Sequence, residues 1–153
     1  MEISDQEVLD RYPWGLITHD NKNHWKGFLQ HKLLINCCQS CGYWIHEPRP
    51  MCPKCWSDNV KPQEVSGKGK IKWFTLLYQG SPVPGFDYSN PYPVVVIELA
   101  EQEGLRMAAT MVNCSNQDIC CDMPVELTWI ERQGAPLPAF QPITGVPPQQ
   151  TNR

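Results

Sequence analysis

Cys38-Gln39-Ser40-Cys41 and Cys52-Pro53-Lys54-Cys55, separated by residues 42–51, decide how the first half of this 153-residue chain folds. A CxxC turn folds the backbone back so that both sulfurs point at one ion and backbone N–H groups face the thiolates. Two such turns complete a tetrahedral four-thiolate set, so Cys38, Cys41, Cys52 and Cys55 are the expected ligands of one structural zinc ion. Gly42 supplies the left-handed residue that such a turn uses, and Pro53 stiffens the second turn. A closed four-thiolate site has no open position for substrate, and its metal can hold together a ribbon with little core of its own. Iron in a rubredoxin-like site uses similar knuckles and is the alternative metal. Cys37 competes with Cys38, but the two-residue gap of the second knuckle selects Cys38 over a CxxxC spacing. His46 is read as a surface residue, and Cys114, Cys120 and Cys121 as free thiols at strand ends.

Working outward toward the N-terminus, Ser4-Asp5-Gln6-Glu7 has the form of a capping box, predicting a short helix to about Arg11 that Pro13 stops. Trp25, Phe28, Leu29 and Lys32 fall at i, i+3, i+4 and i+7 and predict a second helix from Asn23, with the Lys32 stem covering apolar surface. Leu33-Leu34-Ile35 then reads as a strand entering the first knuckle.

Beyond the second knuckle the pattern is mainly β. A long strand runs from Lys70 to about Tyr78, opened by Gly67-Lys68-Gly69. A loop rich in Gly, Pro, Ser and Asn follows. Residues 94–100 and 105–112 read as an antiparallel pair around Glu103-Gly104, residues 118–123 as a turn, and residues 124–130 as another strand. Leu137 to Gln141 reads as a last edge segment. Four or five strands joined by short turns predict a small OB-type antiparallel barrel. The expected organisation is an N-terminal helical segment 1–32, a zinc ribbon 33–62, an OB-fold barrel 63–143 and a disordered tail 144–153.

Composition narrows the function. Hydrophobic residues make up 41% of the chain, and no apolar run approaches the roughly 18 residues of a spanning helix. The acidic N-terminus has no signal-peptide core, so a cytoplasmic location is expected, where eight cysteines serve as ligands and thiols rather than disulfides. The net charge of −3 hides an asymmetry: nine basic residues between Lys22 and Lys72 oppose three acidic ones, whereas eight acidic residues from Trp73 to Asn152 oppose Arg106 and Arg132. Walker, GxGxxG, HExxH and GxSxG motifs are absent. The histidines (His19, His24, His31 and His46) all precede the later thiols, so no local Cys–His arrangement is visible. Glu98, Glu101 and Glu103 read as a solvated turn. On its own the chain does not look like an enzyme.

The order of these motifs resembles a known family. A Trp-containing helix, Leu33–Gly42, a Pro-Arg-Pro before the second knuckle, Ser66–Thr75, Val94–Ala109, Met123–Trp129 and Leu137–Pro142 together look like the zinc-ribbon and OB-fold proteins filed as domain of unknown function thirty-five. The match covers about residues 22 to 143. The resemblance implies a small non-catalytic subunit of a larger thiolase-like enzyme acting on acyl-CoA thioesters. Family examples are partners of steroid side-chain aldolases, of hydroxymethylglutaryl-CoA-forming assemblies, and of benzoylsuccinyl-CoA thiolase. It carries the metal role to the four cysteines and carries no catalytic residue. By analogy, Phe86, Tyr88 and Tyr92 are candidate partner or CoA contacts, with core packing or loop anchoring as the equal alternative. Lys68, Lys70 and Lys72 alternate on one strand face and can meet CoA phosphates, though a solvated face is the commoner reading. The long Pro-rich loop between Gly80 and Pro93 and the doubled cysteine depart from the family pattern.

Two functions outside the accessory-subunit reading remain open from the residues. A nucleic-acid-binding ribbon and barrel would need a basic groove with stacking aromatics, which the acidic β half opposes. An independent redox or acyl-transfer enzyme would use Cys114 or Cys121.

Overall fold

The computed structural model describes residues 2–80 and 87–143; Phe86 and the tail from residue 144 lie outside the described residues. Helix α1 (Asp5–Arg11) begins at the expected cap, where Ser4 Oγ accepts the Glu7 N–H at 3.1 Å. Asp5 and Glu7 in its first turn and Arg11 in its last complement the helix dipole. The Asp5 carboxylate reaches Lys26 at 2.6 Å and Lys22 at 2.9 Å, tying α1 to helix α2 (Lys22–Leu29).

Helix α2 ends sooner than the apolar spacing predicts. The Lys32 N–H returns to the Gly27 carbonyl at 2.8 Å, and His31 adopts a positive φ of 54°. Lys32 therefore lies past the cap and does not extend the helix stripe. Tyr12, Trp14, Trp25 and Phe28 form one aromatic cluster, with Tyr12 and Trp25 centroids 4.9 Å apart. The cluster belongs to the same core as the barrel interior.

Strands β1 (Leu34–Cys38), β2 (Trp44–Ile45) and β3 (Val60–Glu64) make an antiparallel sheet in the order β2-β1-β3. β3 pairs with the whole of β1 and runs across the 62/63 position, where a boundary was expected from the sequence. The second sheet is the expected small barrel. Strands β4 (Lys68–Leu77), β5 (Tyr92–Leu99), β6 (Arg106–Met111), β7 (Pro124–Arg132) and β8 (Ala135–Pro142) close in the order β4-β5-β6-β8-β7. β4 serves both neighbours: it pairs with β5 along its length and with β7 through Lys68, Gly69 and Lys70. Between Ile71 and Trp73 the register with β5 shifts, leaving Lys72 as the extra residue of a bulge. Ile71, Val95, Ile97, Val125 and Phe140 fill the interior with no exposed surface.

β8 is not the edge segment expected from its prolines. It lies between β7, which it pairs antiparallel along its whole length, and β6, which it meets in parallel at Thr110↔Ala139 and Met111↔Phe140. The Phe140 carbonyl accepts the Val112 N–H, so residues of its parity face the β6 side. Pro136, Pro138 and Pro142 share that parity. Their missing N–H groups thus point to the side where the ladder is short, and the β7 ladder loses nothing.

Candidate metal centre and surrounding faces

The two knuckles are built alike. In the first, the Gly42 N–H donates to the Cys38 carbonyl at 2.8 Å and the Cys38 N–H to the Tyr43 carbonyl at 2.9 Å. In the second, the Trp56 N–H donates to the Cys52 carbonyl at 2.9 Å and the Cys52 N–H to the Ser57 carbonyl at 2.9 Å. The hydroxyls of Ser40 and Ser57 meet at 2.8 Å and link the two.

This arrangement brings Cys38, Cys41, Cys52 and Cys55 together, with all four sulfurs within 4.8 Å of one another. Sγ of Cys38 lies 3.6 Å from that of Cys55, and Sγ of Cys41 lies 3.7 Å from that of Cys52. Zinc–sulfur bonds of about 2.3 Å in a tetrahedron put sulfurs roughly 3.8 Å apart, so the donor set fits a zinc-sized ion, whereas a disulfide needs about 2.05 Å. The Lys54 N–H points at the Cys52 sulfur at 3.4 Å. Burial opposes ionisation of Cys38, but N–H groups from Cys41 and Ser40 bring its thiol down to about 6. Cys55 is pushed up to about 12: the Ser57 N–H favours its thiolate, but burial and the three neighbouring sulfurs outweigh it. The opposite directions describe one cluster without a cation, in which the first anion suppresses the next. A dication at the centre supplies the charge that lets all four ionise. Cys37 is not in the cluster. It is 5% exposed, and burial raises its thiol.

Gly42 and Trp56 occupy equivalent positions and both have positive φ, 74° and 63°. Glycine takes that conformation freely; any other residue is held there at a cost of about 1–2 kcal/mol. The Trp56 side chain is also 75% exposed.

Lys68, Lys70 and Lys72 line one surface depression of about 590 Å³. They share it with Glu98, Glu103 and Asp122, so the face is of mixed charge. Lys72 lies 3.7 Å from Glu98, which Arg106 also approaches at 3.5 Å. The solvated-turn reading of the acidic residues does not hold for Glu98. It is 8% exposed, and the Gly104 N–H, Lys72 and Arg106 hold its carboxyl below the usual range. Glu101 is likewise engaged, accepting the Ser66 N–H at 2.6 Å.

Tyr88 and Tyr92 go to different places. The Tyr88 hydroxyl occupies the space a side chain at Gly80 would need. Tyr92 lines a groove of about 510 Å³ where α2, the segment after β2 and the barrel converge. His24 and His46 line the same groove with ring centroids 5.6 Å apart. His46 is not a surface residue: its side chain is 11% exposed, because its ring rests against His24 rather than in solvent. His24 Nδ1 donates to the Leu34 carbonyl at 2.7 Å, and burial lowers its pKa to about 4. The residue reading missed both the histidine pair, which unites segments 22 residues apart, and Trp56. Aligning the two knuckles would have exposed Trp56, since its counterpart is glycine.

Cys114, Cys120 and Cys121 stand outside the metal cluster as free thiols, and burial raises that of Cys114. Among the described residues no histidine hydrogen-bonds a cysteine.

A four-cysteine ribbon abutting a five-stranded closed barrel defines the class: a rubredoxin-like ribbon joined to an OB fold. Family descriptions agree with the geometry segment by segment. "ChsH2, rubredoxin-like zinc ribbon domain" matches residues 25–61, and "ChsH2, C-terminal OB-fold domain" matches residues 62–129. The chain belongs to this ChsH2/DUF35 family. It is 31% identical over 105 residues to a DUF35 domain-containing scaffold protein of Pyrococcus furiosus, covering 68% of this chain and 74% of that protein. A protein of the same description from Methanocaldococcus jannaschii is 30% identical, covering 67% and 71%. Among solved structures, the "Ltp2-ChsH2(DUF35) aldolase" aligns with a TM-score of 0.75 at 32% identity, covering 84% of this chain and 98% of that one. A DUF35 protein of unknown function from Sulfolobus solfataricus shares the fold, with a TM-score of 0.56 at 15% identity, covering 91% and 95%.

Proposed function

We propose that this chain is a non-catalytic accessory subunit of a thiolase-like enzyme that forms or cleaves a carbon–carbon bond in an acyl-CoA thioester. The observation that carries the reading is the likeness, at 32% identity and near-complete coverage of the other chain, to the DUF35 component of an Ltp2-ChsH2 aldolase. The site agrees with it. A closed four-thiolate centre offers no coordination position to substrate, and among the described residues no histidine hydrogen-bonds one of the remaining thiols. The larger partner would supply the nucleophile and the acid–base groups.

In this reading Cys38, Cys41, Cys52 and Cys55 hold zinc, whose contribution is structural. A reducing, cytoplasmic compartment suits those thiolates. Tyr92 and the Lys68, Lys70 and Lys72 face are the partner or CoA contacts to test, together with Tyr88; Phe86 falls outside the described residues. Purifying the tagged chain gently from its host and identifying the associated chains by mass spectrometry tests the proposal. A stoichiometric, larger thiolase-like protein is expected. A chain that arrives alone, or with nucleic acid, overturns it.

A further inference from the structure

Resting on the accessory-subunit reading, we infer that Trp56 is a docking anchor, inserted into an apolar pocket on the larger partner subunit. The inference starts from the internal symmetry of the ribbon. Positions 42 and 56 have the same place in their two knuckles, donate to equivalent carbonyls (Cys38 and Cys52) and have the same sign of φ. Only one of them carries the residue that the conformation favours. Metal binding therefore does not call for an indole here, and glycine would serve the knuckle better.

Nor does the chain's own packing call for it. The side chain is 75% exposed, and none of the ring contacts among the described residues includes it. A strained backbone carrying an exposed indole benefits neither the fold nor solubility. Strain of this kind is retained where it positions a side chain for a task, and tryptophan is the side chain most enriched at the energetic centres of protein interfaces.

The area selects the occupant. Trp56 follows the second knuckle directly, and Met51, one residue before that knuckle, is another exposed large apolar residue at 45%. An indole offers about 250 Å² at most, whereas a stable interface hides about 800 Å² on each partner. Two copies of this chain meeting knuckle to knuckle fall well short of that area. A concave surface on a larger protein, which also covers other parts of this chain, can enclose the knuckle and desolvate the indole.

The strain makes the test discriminating, because removing the indole moves folding and docking in opposite directions. Trp56→Gly and Trp56→Ala are compared with wild type in the full chain, reading thermal midpoint and affinity for the purified, identified larger subunit. Docking predicts at least tenfold weaker binding for both variants, with a raised midpoint for Trp56→Gly. Unchanged affinity in both variants overturns the anchor while leaving the accessory-subunit reading intact. A lowered midpoint with unchanged affinity would make Trp56 a folding residue. A wild-type chain that associates with no larger subunit overturns both readings. Sedimentation showing a wild-type dimer that Trp56→Ala dissolves would make a second copy the occupant, and would also overturn the proposal.

Discussion

The Tyr12 hydroxyl donates a 2.6 Å hydrogen bond to the Pro136 carbonyl, 124 residues further along the chain. Tyr12 has no exposed surface, and burial pushes its phenol up to about 12. Next to it the Arg11 guanidinium donates to the Gly134 carbonyl at 2.6 Å. The N-terminal helix is thus fastened to the β7–β8 hairpin; the helices and Ile35 of the ribbon share the barrel's core, while Cys38, Ile45 and Cys52 form a small cluster of their own. Tyr12→Phe keeps the ring and leaves a buried carbonyl without its donor, a loss of about 1–3 kcal/mol. The thermal midpoint should fall by several degrees with the far-ultraviolet circular dichroism unchanged.

Removing one metal ligand should be more severe. Cys55→Ser exchanges an exposed thiol in the cluster for a poor zinc ligand, so the loss is of metal and not of core. Metal analysis should fall from one zinc per chain toward none, and the ribbon amides should lose protection against hydrogen exchange before those of the barrel. Iron in place of zinc would appear in the same analysis.

Acidification should weaken the fold through His24. Its folded pKa is depressed to about 4 by burial, while the unfolded chain takes up a proton near the usual 6.5. Stability is full above about pH 6.5 and is lost as pH falls toward 4, by about 3 kcal/mol on an order-of-magnitude basis. His24→Gln should flatten the dependence of unfolding free energy on pH between 5 and 6.5. Equal slopes in the two proteins would assign the acid sensitivity to other groups.

Gly69 is a place where β4 and β5 come too close for a side chain. A Cβ there would lie 2.8 Å from Ile97 Cγ2 and closer still to the Glu98 carbonyl oxygen. Gly69→Ala should destabilise by about 1–3 kcal/mol, the range for overpacking. Chemical denaturation should show a lower midpoint with an unchanged slope.

Reversing charge at Lys68 and Lys70, which are exposed, distinguishes a phosphate-binding face from a solvated one. If the face meets CoA, the double Glu variant should raise KM for acyl-CoA in the assembled enzyme by roughly tenfold or more, with the chain's stability unchanged. An unchanged KM assigns the lysines to solvent.

The sequence by itself determined the metal centre and the barrel class. Both are local signals: a CxxC turn fixes its two sulfurs within four residues, and alternation along a strand declares which face is inward. Ser4 as a cap and the turn at Gly104 were legible for the same reason. What spacing could not decide was which distant surfaces would meet. β8 looked like an edge because prolines cannot complete a ladder, and only its register shows that their imide nitrogens share the one side that needs few donors. His46 looked exposed because nothing in its local sequence marks a partner for it, yet its ring rests against a helix residue 22 positions earlier. Glu98 looked solvated because it begins an acidic run, yet bulged Lys72 and Arg106 come to it across two different strands. In each case the residue's environment is set by long-range pairing, which the tertiary fold creates and no local pattern encodes.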